Sequence, residues 1–295
     1  MRISKYAAID IGSNAIRLLV SNVIERKNKP TIFTKNAMVR VPIRLGQDTF
    51  GHGSIGMPNQ QRMIDAMHSF KLLMGVHGVS HYMACATSAL REAKNGKELI
   101  ERIRKETEVS VELIDGNREA EIIAMTDLYN VVKPHKSYLF VDVGGGSTEL
   151  TLISHGETVA SKSFKIGTVR LLNKMVHDNE LENYKNWIST HTKSLSRVSV
   201  VGSGGTINKV FKMTGRKIGK PLSFMLLSEQ HEYLKKRTQK ELIIDLQLNP
   251  DRADVIVPAV QIYLTAMKYS GSNKIYVPKV GLADGIIKLL YKELH

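Results

Sequence analysis

Residues 140–150 read FVDVGGGSTEL, and residues 8–20 read AIDIGSNAIRLLV. Each is an apolar run that stops at Asp-x-Gly, crosses a short polar stretch and resumes as apolar β-type sequence. Runs of this kind, broken by turn residues, read as strand, turn, strand. Two copies in one chain are an internal duplication, and they decide the fold class.

Working outward, the first copy is followed by Met63, Met67, Phe70 and Met74 at helical spacing, which reads as a core-facing stripe. A strand is predicted over 82–87, with Ser88 capping the helix that follows. A helix over 98–107, a strand over 109–114 and a helix from 115 through about 131 complete this half. The polar break at 134–136 predicts a boundary, giving domains 1–132 and 133–295. The second half predicts strands over 139–153 and 158–164, helices over 168–178 and 181–194, and a strand over 198–201. Helices over 228–245 and 251–269, a strand over 274–277 and a terminal helix to 291 follow. Strands alternating with helices in two related halves indicate α/β sheets. No low-complexity linker joins the halves, so a hinged cleft is expected.

Composition narrows the class. The 295 residues suffice for two domains, and 42% hydrophobic residues exclude wholesale disorder. Forty-two Lys and Arg against 28 Asp and Glu give a formal charge of +14, which attracts polyanions. Aromatics are only 6% and form no basic–aromatic interleaving, so a nucleic-acid stacking platform is not expected. One cysteine, Cys85, excludes an internal disulfide and reads as a small core residue. No run reaches the ~18 apolar residues of a membrane span, and the N-terminal stretch is interrupted by Asp10, Asn14 and Arg17. A cytoplasmic location with no membrane partner is the expectation. His77 and His81 are four apart, but Gly78 between them argues against a helical metal pair.

Glycine-rich turns let successive backbone N–H groups converge on an anion. Three loops follow buried-type strands: Gly12-Ser13-Asn14, Gly144-Gly145-Gly146-Ser147 and Gly202-Ser-Gly204-Gly205-Thr206. None matches a phosphate-binding loop ending in Lys and Ser/Thr or a dinucleotide fingerprint. Carboxylates beside phosphates need a cation or a proton to handle. Asp10 and Asp142, at strand ends, and Glu149, seven residues after Asp142, are candidates for Mg²⁺ or water. Glu119 falls in the first turn of a predicted helix, where the ionised form suits a general base. Arg17 and Arg91 supply guanidinium forks for phosphate oxygens.

At these residues the chain resembles the exopolyphosphatase and guanosine-pentaphosphate phosphatase family. AIDIGSNAIRLLV (8–20), ATSALREAKNG (86–96), DGNREAE (115–121), VDVGGGSTEL (141–150), FKIGTVRLL (164–172), VGSGGTINKV (201–210) and RADVIVPAV (252–260) stand in the family's order. The resemblance spans roughly residues 6–290. It implies two actin-like domains, ribonuclease H-like and of the superfamily shared with sugar kinases and chaperone ATPases, flanking a cleft, with the terminal helix packing back on the first. It implies hydrolysis of the terminal phosphoanhydride of inorganic polyphosphate, or of the 5′ terminal phosphate of guanosine pentaphosphate, assisted by Mg²⁺ or another divalent cation. By motif, Glu119 takes the role of catalytic glutamate and Glu149 helps orient water or cation. Asp142 is the loop aspartate, and Ser13, Asn14, Arg17 and Arg91 match phosphate-binding positions. Arg118 stands where an acid is usual, Glu121 where a base is common, and Gly281–Gly285 lacks an arginine often found there. Lys162, Lys165, Arg170 and the basic run 212–220 are candidate guides for a long polyanion. A kinase of the same fold, a non-catalytic sensor and a homodimer stay open.

Overall fold

The computed structural model describes residues 1–126, 133 and 135–295. By internal packing the chain divides into two compact units, Met1–Thr126 with Leu282–His295, and Asp127–Gly281. The predicted helix end at Val131 and the predicted boundary after Val132 lie outside the described residues.

The first unit contains β1 (Arg2–Ile11), β2 (Ile16–Arg26), β3 (Lys29–Val41), α1 (Leu45–His52), α2 (Met57–His77), β4 (His81–Ala86), α3 (Ser88–Glu92), α4 (Gly96–Thr107), β5 (Glu112–Leu113) and α5 (Gly116–Ala124). Its sheet runs β3-β2-β1-β4-β5. The first three strands are an antiparallel meander, and β4 and β5 add in parallel. β1 ends in six consecutive buried residues, as a central strand covered on both faces requires. The methionine stripe of α2 is buried, and α2 ends at Gly78 in the left-handed conformation.

The second unit contains β6 (Ser137–Val143), β7 (Thr148–Ser154), β8 (Glu157–Phe164), α6 (Thr168–Leu172), α7 (Asp178–Thr192), β9 (Val198–Ser203), α8 (Gly205–Met213), β10 (Leu222–Ser223), α9 (Phe224–Lys235), α10 (Gln239–Ile244), α11 (Pro250–Ala253), α12 (Ile256–Tyr269) and β11 (Lys274–Tyr276). Its sheet, taken from the other edge, runs β8-β7-β6-β9-β11-β10. Again a three-strand antiparallel meander is extended by two parallel strands, β9 and β11, and β10 adds antiparallel at the far edge. The duplication read from two short motifs thus extends to the antiparallel meander and the two parallel strands beside it, and both units are α/β.

Several elements differ from expectation for local reasons. The helix predicted over 228–245 is two, because Thr238 and Glu241 form a reciprocal capping box that starts α10 afresh. The helix predicted over 168–178 stops at Leu172, and Lys174 adopts a left-handed backbone. The helix predicted over 251–269 is split into α11 and α12. Ser88 opens α3 rather than capping it, and Thr87 holds the cap position. The strand predicted over 109–114 pairs only at Glu112 and Leu113. β3 and α1 were not anticipated. Among the described residues no helix is long and apolar enough to cross a membrane.

The last helix, α13 (Leu282–Leu294), follows the second sheet but belongs to the first unit. Its Ile286, Leu289 and Leu290 join Ala8, Leu19, Ile122 and Ile123 in one core. Gly285 permits the contact with α5: a Cβ there would stand 2.1 Å from the Ile122 carbonyl oxygen, a backbone atom that cannot swing aside. Gly285→Ala is therefore expected to destabilise the first unit by about 1–3 kcal/mol. The same change at Gly75, where a Cβ meets nothing within 4 Å, should stabilise α2 by about 0.5–1 kcal/mol. Denaturant midpoints of the two variants moving in the same direction would refute this account.

Candidate phosphate-handling site

The β6–β7 hairpin turns through Gly144–Ser147, closed by Gly144 N–H donating to the Ser147 carbonyl at 3.0 Å. The start of α6 is pressed against this turn. Thr168 N–H donates to the Gly144 carbonyl at 3.0 Å, Val169 N–H to Gly145 at 2.8 Å, and Arg170 Nε to Gly146 at 2.6 Å. Three successive carbonyls thus point toward α6. No cis peptide occurs among the described residues, and in a trans peptide the following N–H is antiparallel to the carbonyl. The amides of Gly145, Gly146 and Ser147 therefore face the opposite way together. Backbone amides converging in this way form a cradle of dipoles that can receive an anion. Gly167 makes the approach possible, since a Cβ there would meet the Gly145 carbonyl oxygen at 2.2 Å. Arg170, expected as a surface guide, is instead 7% exposed and committed to holding the loop.

The first unit repeats the device with different parts. Gly12 N–H donates to the Ala15 carbonyl at 3.2 Å, while the Ser13 and Asn14 carbonyls accept from Gly46 and Arg44 N–H at 2.7 and 3.1 Å. By the same peptide geometry the Asn14 and Ala15 amides are turned away from α1. The Ser13 hydroxyl is shared with Ser88 at 2.9 Å. In the third loop, Gly204–Thr206 lead into α8, whose first N–H groups lack intrahelical partners by construction.

The acids separate by unit. Asp10 lies across the hairpin from Arg17 and accepts from its Nη1 at 2.5 Å. At the corresponding place in the second hairpin, Asp142 lies across from Glu149. The Asp142 and Glu149 carboxylates offer oxygens within 4.8 Å of each other. Glu149 Oε1 accepts from Ser163 Oγ at 2.9 Å, and Asp142 Oδ1 from Ser203 Oγ at 2.5 Å. A close pair of hard oxygen donors fits a divalent cation such as Mg²⁺. Asp10 fits one less well, because one of its oxygens serves a guanidinium.

Ser203 is tied further back: the buried Tyr263 hydroxyl of α12 donates to its carbonyl. Burial, and secondarily the Asp142 charge, push the Tyr263 phenol well above its ordinary range, so it remains a donor. Glu119 sits in the first turn of α5 and is 6% exposed. Asp115 caps that helix by accepting from Arg118 N–H at 2.8 Å. Arg91 anchors the approach to α5 by donating to the Ile114 carbonyl at 2.5 Å. The two departures Arg118 and Glu121 pair with each other at 3.3 Å. Cys85 is fully buried, and burial, with Glu112 next, pushes its thiol up to about 12.

Sequence reading missed Ser163, Ser203 and Tyr263. A signal for the serines was present in the spacing: Ser203 directly precedes Gly204, and Ser163 sits one residue before the FKIG segment.

The profile of the Ppx/GppA phosphatase family matches residues 23–294. The chain is 26% identical over 301 residues to a bifunctional 3-dehydroquinate synthase/phosphatase of Fusobacterium nucleatum, covering 92% of this chain and 44% of that protein. It therefore spans less than half the length of that relative. It is 23% identical over 306 residues to exopolyphosphatase 1 of Mycobacterium tuberculosis, covering 96% of this chain and 87% of that one. Among solved structures, an exopolyphosphatase from Cytophaga hutchinsonii aligns with TM-score 0.85 and 26% identity over 99% of this chain and 98% of its own. The Aquifex aeolicus family member shares the fold, with TM-score 0.77 and 24% identity over the full length of both. With the duplicated hairpins, the loops behind them and a family match over nearly the whole length, the chain belongs to the Ppx/GppA phosphatase family.

Proposed function

We propose that this chain hydrolyses the terminal phosphoanhydride of inorganic polyphosphate and releases orthophosphate. The observation that carries the reading is the Gly145–Ser147 amide cradle beside the Asp142–Glu149 pair. Anion donors and a cation-binding acid pair within one hairpin suit a phosphate that arrives with a metal. The relatives named as exopolyphosphatases, and the formal charge of +14, favour a long polyanion as substrate.

In this mechanism, the cradle amides receive the terminal phosphoryl oxygens and stabilise the charge that builds on them. Arg17 and Arg91 each commit one nitrogen within the protein, and a guanidinium has five N–H donors, so both can still serve phosphate oxygens. A divalent cation held by Asp142 and Glu149 would neutralise phosphate charge. Glu119, by its family motif, accepts a proton from the attacking water. The new bond forms between water oxygen and the terminal phosphorus. The anhydride P–O bond breaks, and the shortened polyphosphate leaves with the electron pair. Positioning and charge neutralisation supply most of the acceleration for such transfers.

Phosphate release from polyphosphate with Mg²⁺, measured beside guanosine pentaphosphate, tests the reading; faster release from the nucleotide would reassign the substrate. Glu119→Gln should lower the rate about 10²–10⁴-fold, and an unchanged rate removes Glu119 as the base. Gly167→Ala, which must push α6 off the cradle, should cost about 100-fold in rate. A Gly167→Ala enzyme of wild-type rate would show that the cradle does not hold the reacting phosphate.

A further inference from the structure

One row of the second sheet carries Ser163, Glu149, Asp142 and Ser203 on four neighbouring strands, each paired in register with the next. Directly paired residues project to the same face, so two hydroxyls bracket two carboxylates. Each outer serine donates to the acid beside it: Ser163 Oγ to Glu149 Oε1 at 2.9 Å, and Ser203 Oγ to Asp142 Oδ1 at 2.5 Å.

We propose that Ser163 and Ser203 are positioning residues that orient the Glu149–Asp142 pair toward a shared divalent cation. The inference rests on the reading of that pair as the cation's ligands. Two neighbouring carboxylates lower their repulsion by rotating apart. A hydroxyl donor to one oxygen of each holds that carboxylate against such rotation. The two donors are themselves held. Ser203 is 4% exposed, with its carbonyl bonded by Tyr263. Ser163 stands on β8, whose pairing with β7 is continuous from Thr148 to Leu152. Groups of this kind behind metal ligands change affinity by about 10–100-fold when removed.

The strand carries its own control. Ser161, two residues earlier on the same face of β8, gives its hydroxyl to the Leu150 carbonyl at 3.1 Å and neighbours Thr151 Oγ1 at 3.0 Å. It is the same residue type in the same strand, with no carboxylate to orient.

The test is Mn²⁺ binding to the intact chain, read from the electron paramagnetic resonance of the free ion. Ser163→Ala and Ser203→Ala should each weaken binding by about tenfold. Ser163→Thr, which keeps the hydroxyl in a strand-favouring residue, and Ser161→Ala should both stay within about twofold of wild type. Melting temperatures measured alongside identify misfolded variants; if Ser203→Ala does not fold, the half-buried Ser163 series decides. Wild-type affinity in Ser163→Ala and Ser203→Ala, or equal weakening in Ser161→Ala, overturns the inference while leaving the cation site standing. A wild-type chain that binds no Mn²⁺ overturns both.

Discussion

Two carboxylates placed directly across a β-hairpin repel each other, and much of the second unit answers that repulsion. With oxygens within 4.8 Å, the unscreened pair costs on the order of 3 kcal/mol at an effective dielectric of about 20. Ordinary cross-strand chemistry would select against such a pairing. Around it stand hydroxyl donors at Ser163 and Ser203, a buried phenol bracing Ser203, and a turn whose amide dipoles face one way. Each of these lowers the cost of negative charge without supplying a full positive one. An arginine in place of either acid would cancel the charge directly, as a guanidinium does beside a carboxylate.

The first unit shows what that arginine does. Asp10 and Arg17 occupy the same hairpin positions as Asp142 and Glu149, seven residues apart in both copies. In the first copy the charges cancel inside the hairpin. Duplication therefore produced two similar scaffolds, and a single residue type at the second position made them chemically different. Both loops are also set from behind by the same means, with backbone N–H groups from a following segment binding the loop carbonyls. The direction of the amides follows from peptide planarity once the carbonyls are fixed, so the cradle rests on those backbone donors, on Arg170 Nε at the Gly146 carbonyl, and on the glycine that lets the chains approach.

This logic explains which parts could be read from the sequence. Asp-x-Gly between apolar runs announces a strand and a turn, and its recurrence announces the second sheet. The buried faces of β1 and α2 were legible because burial leaves a periodic apolar trace. β3 was not, because an edge strand with mostly exposed or half-exposed residues leaves no such trace. The splits at Lys235 and Leu172 depend on a capping box and one left-handed residue, signals that a generous helical pattern overrides. At the site, the acids were legible and their partners were not. Asp10–Arg17, Ser163–Glu149 and Ser203–Asp142 are register contacts, fixed only when strands align. Arg170 was misread for a related cause: its positive charge suggested a surface, whereas its Nε is spent on a carbonyl.

The departures at Arg118 and Glu121 show what the helix bearing Glu119 depends on. Read singly, each reverses a charge beside Glu119, the proposed base. In the fold they face each other at 3.3 Å, so the local pair is kept with its polarity exchanged. Arg118 also reaches Glu293 of α13 at 3.4 Å. Both contacts are substantially solvent-exposed, and exposed pairs contribute between nothing and about 1 kcal/mol. They cannot be what seats α5. That work falls to Asp115 at the cap, Arg91 on the Ile114 carbonyl, and above all the backbone approach at Gly285. A helix seated by steric fit tolerates exchange of its surface charges. The seat of Glu119 is therefore tied more tightly to a glycine on the last helix of the chain than to the charged residues on either side of it.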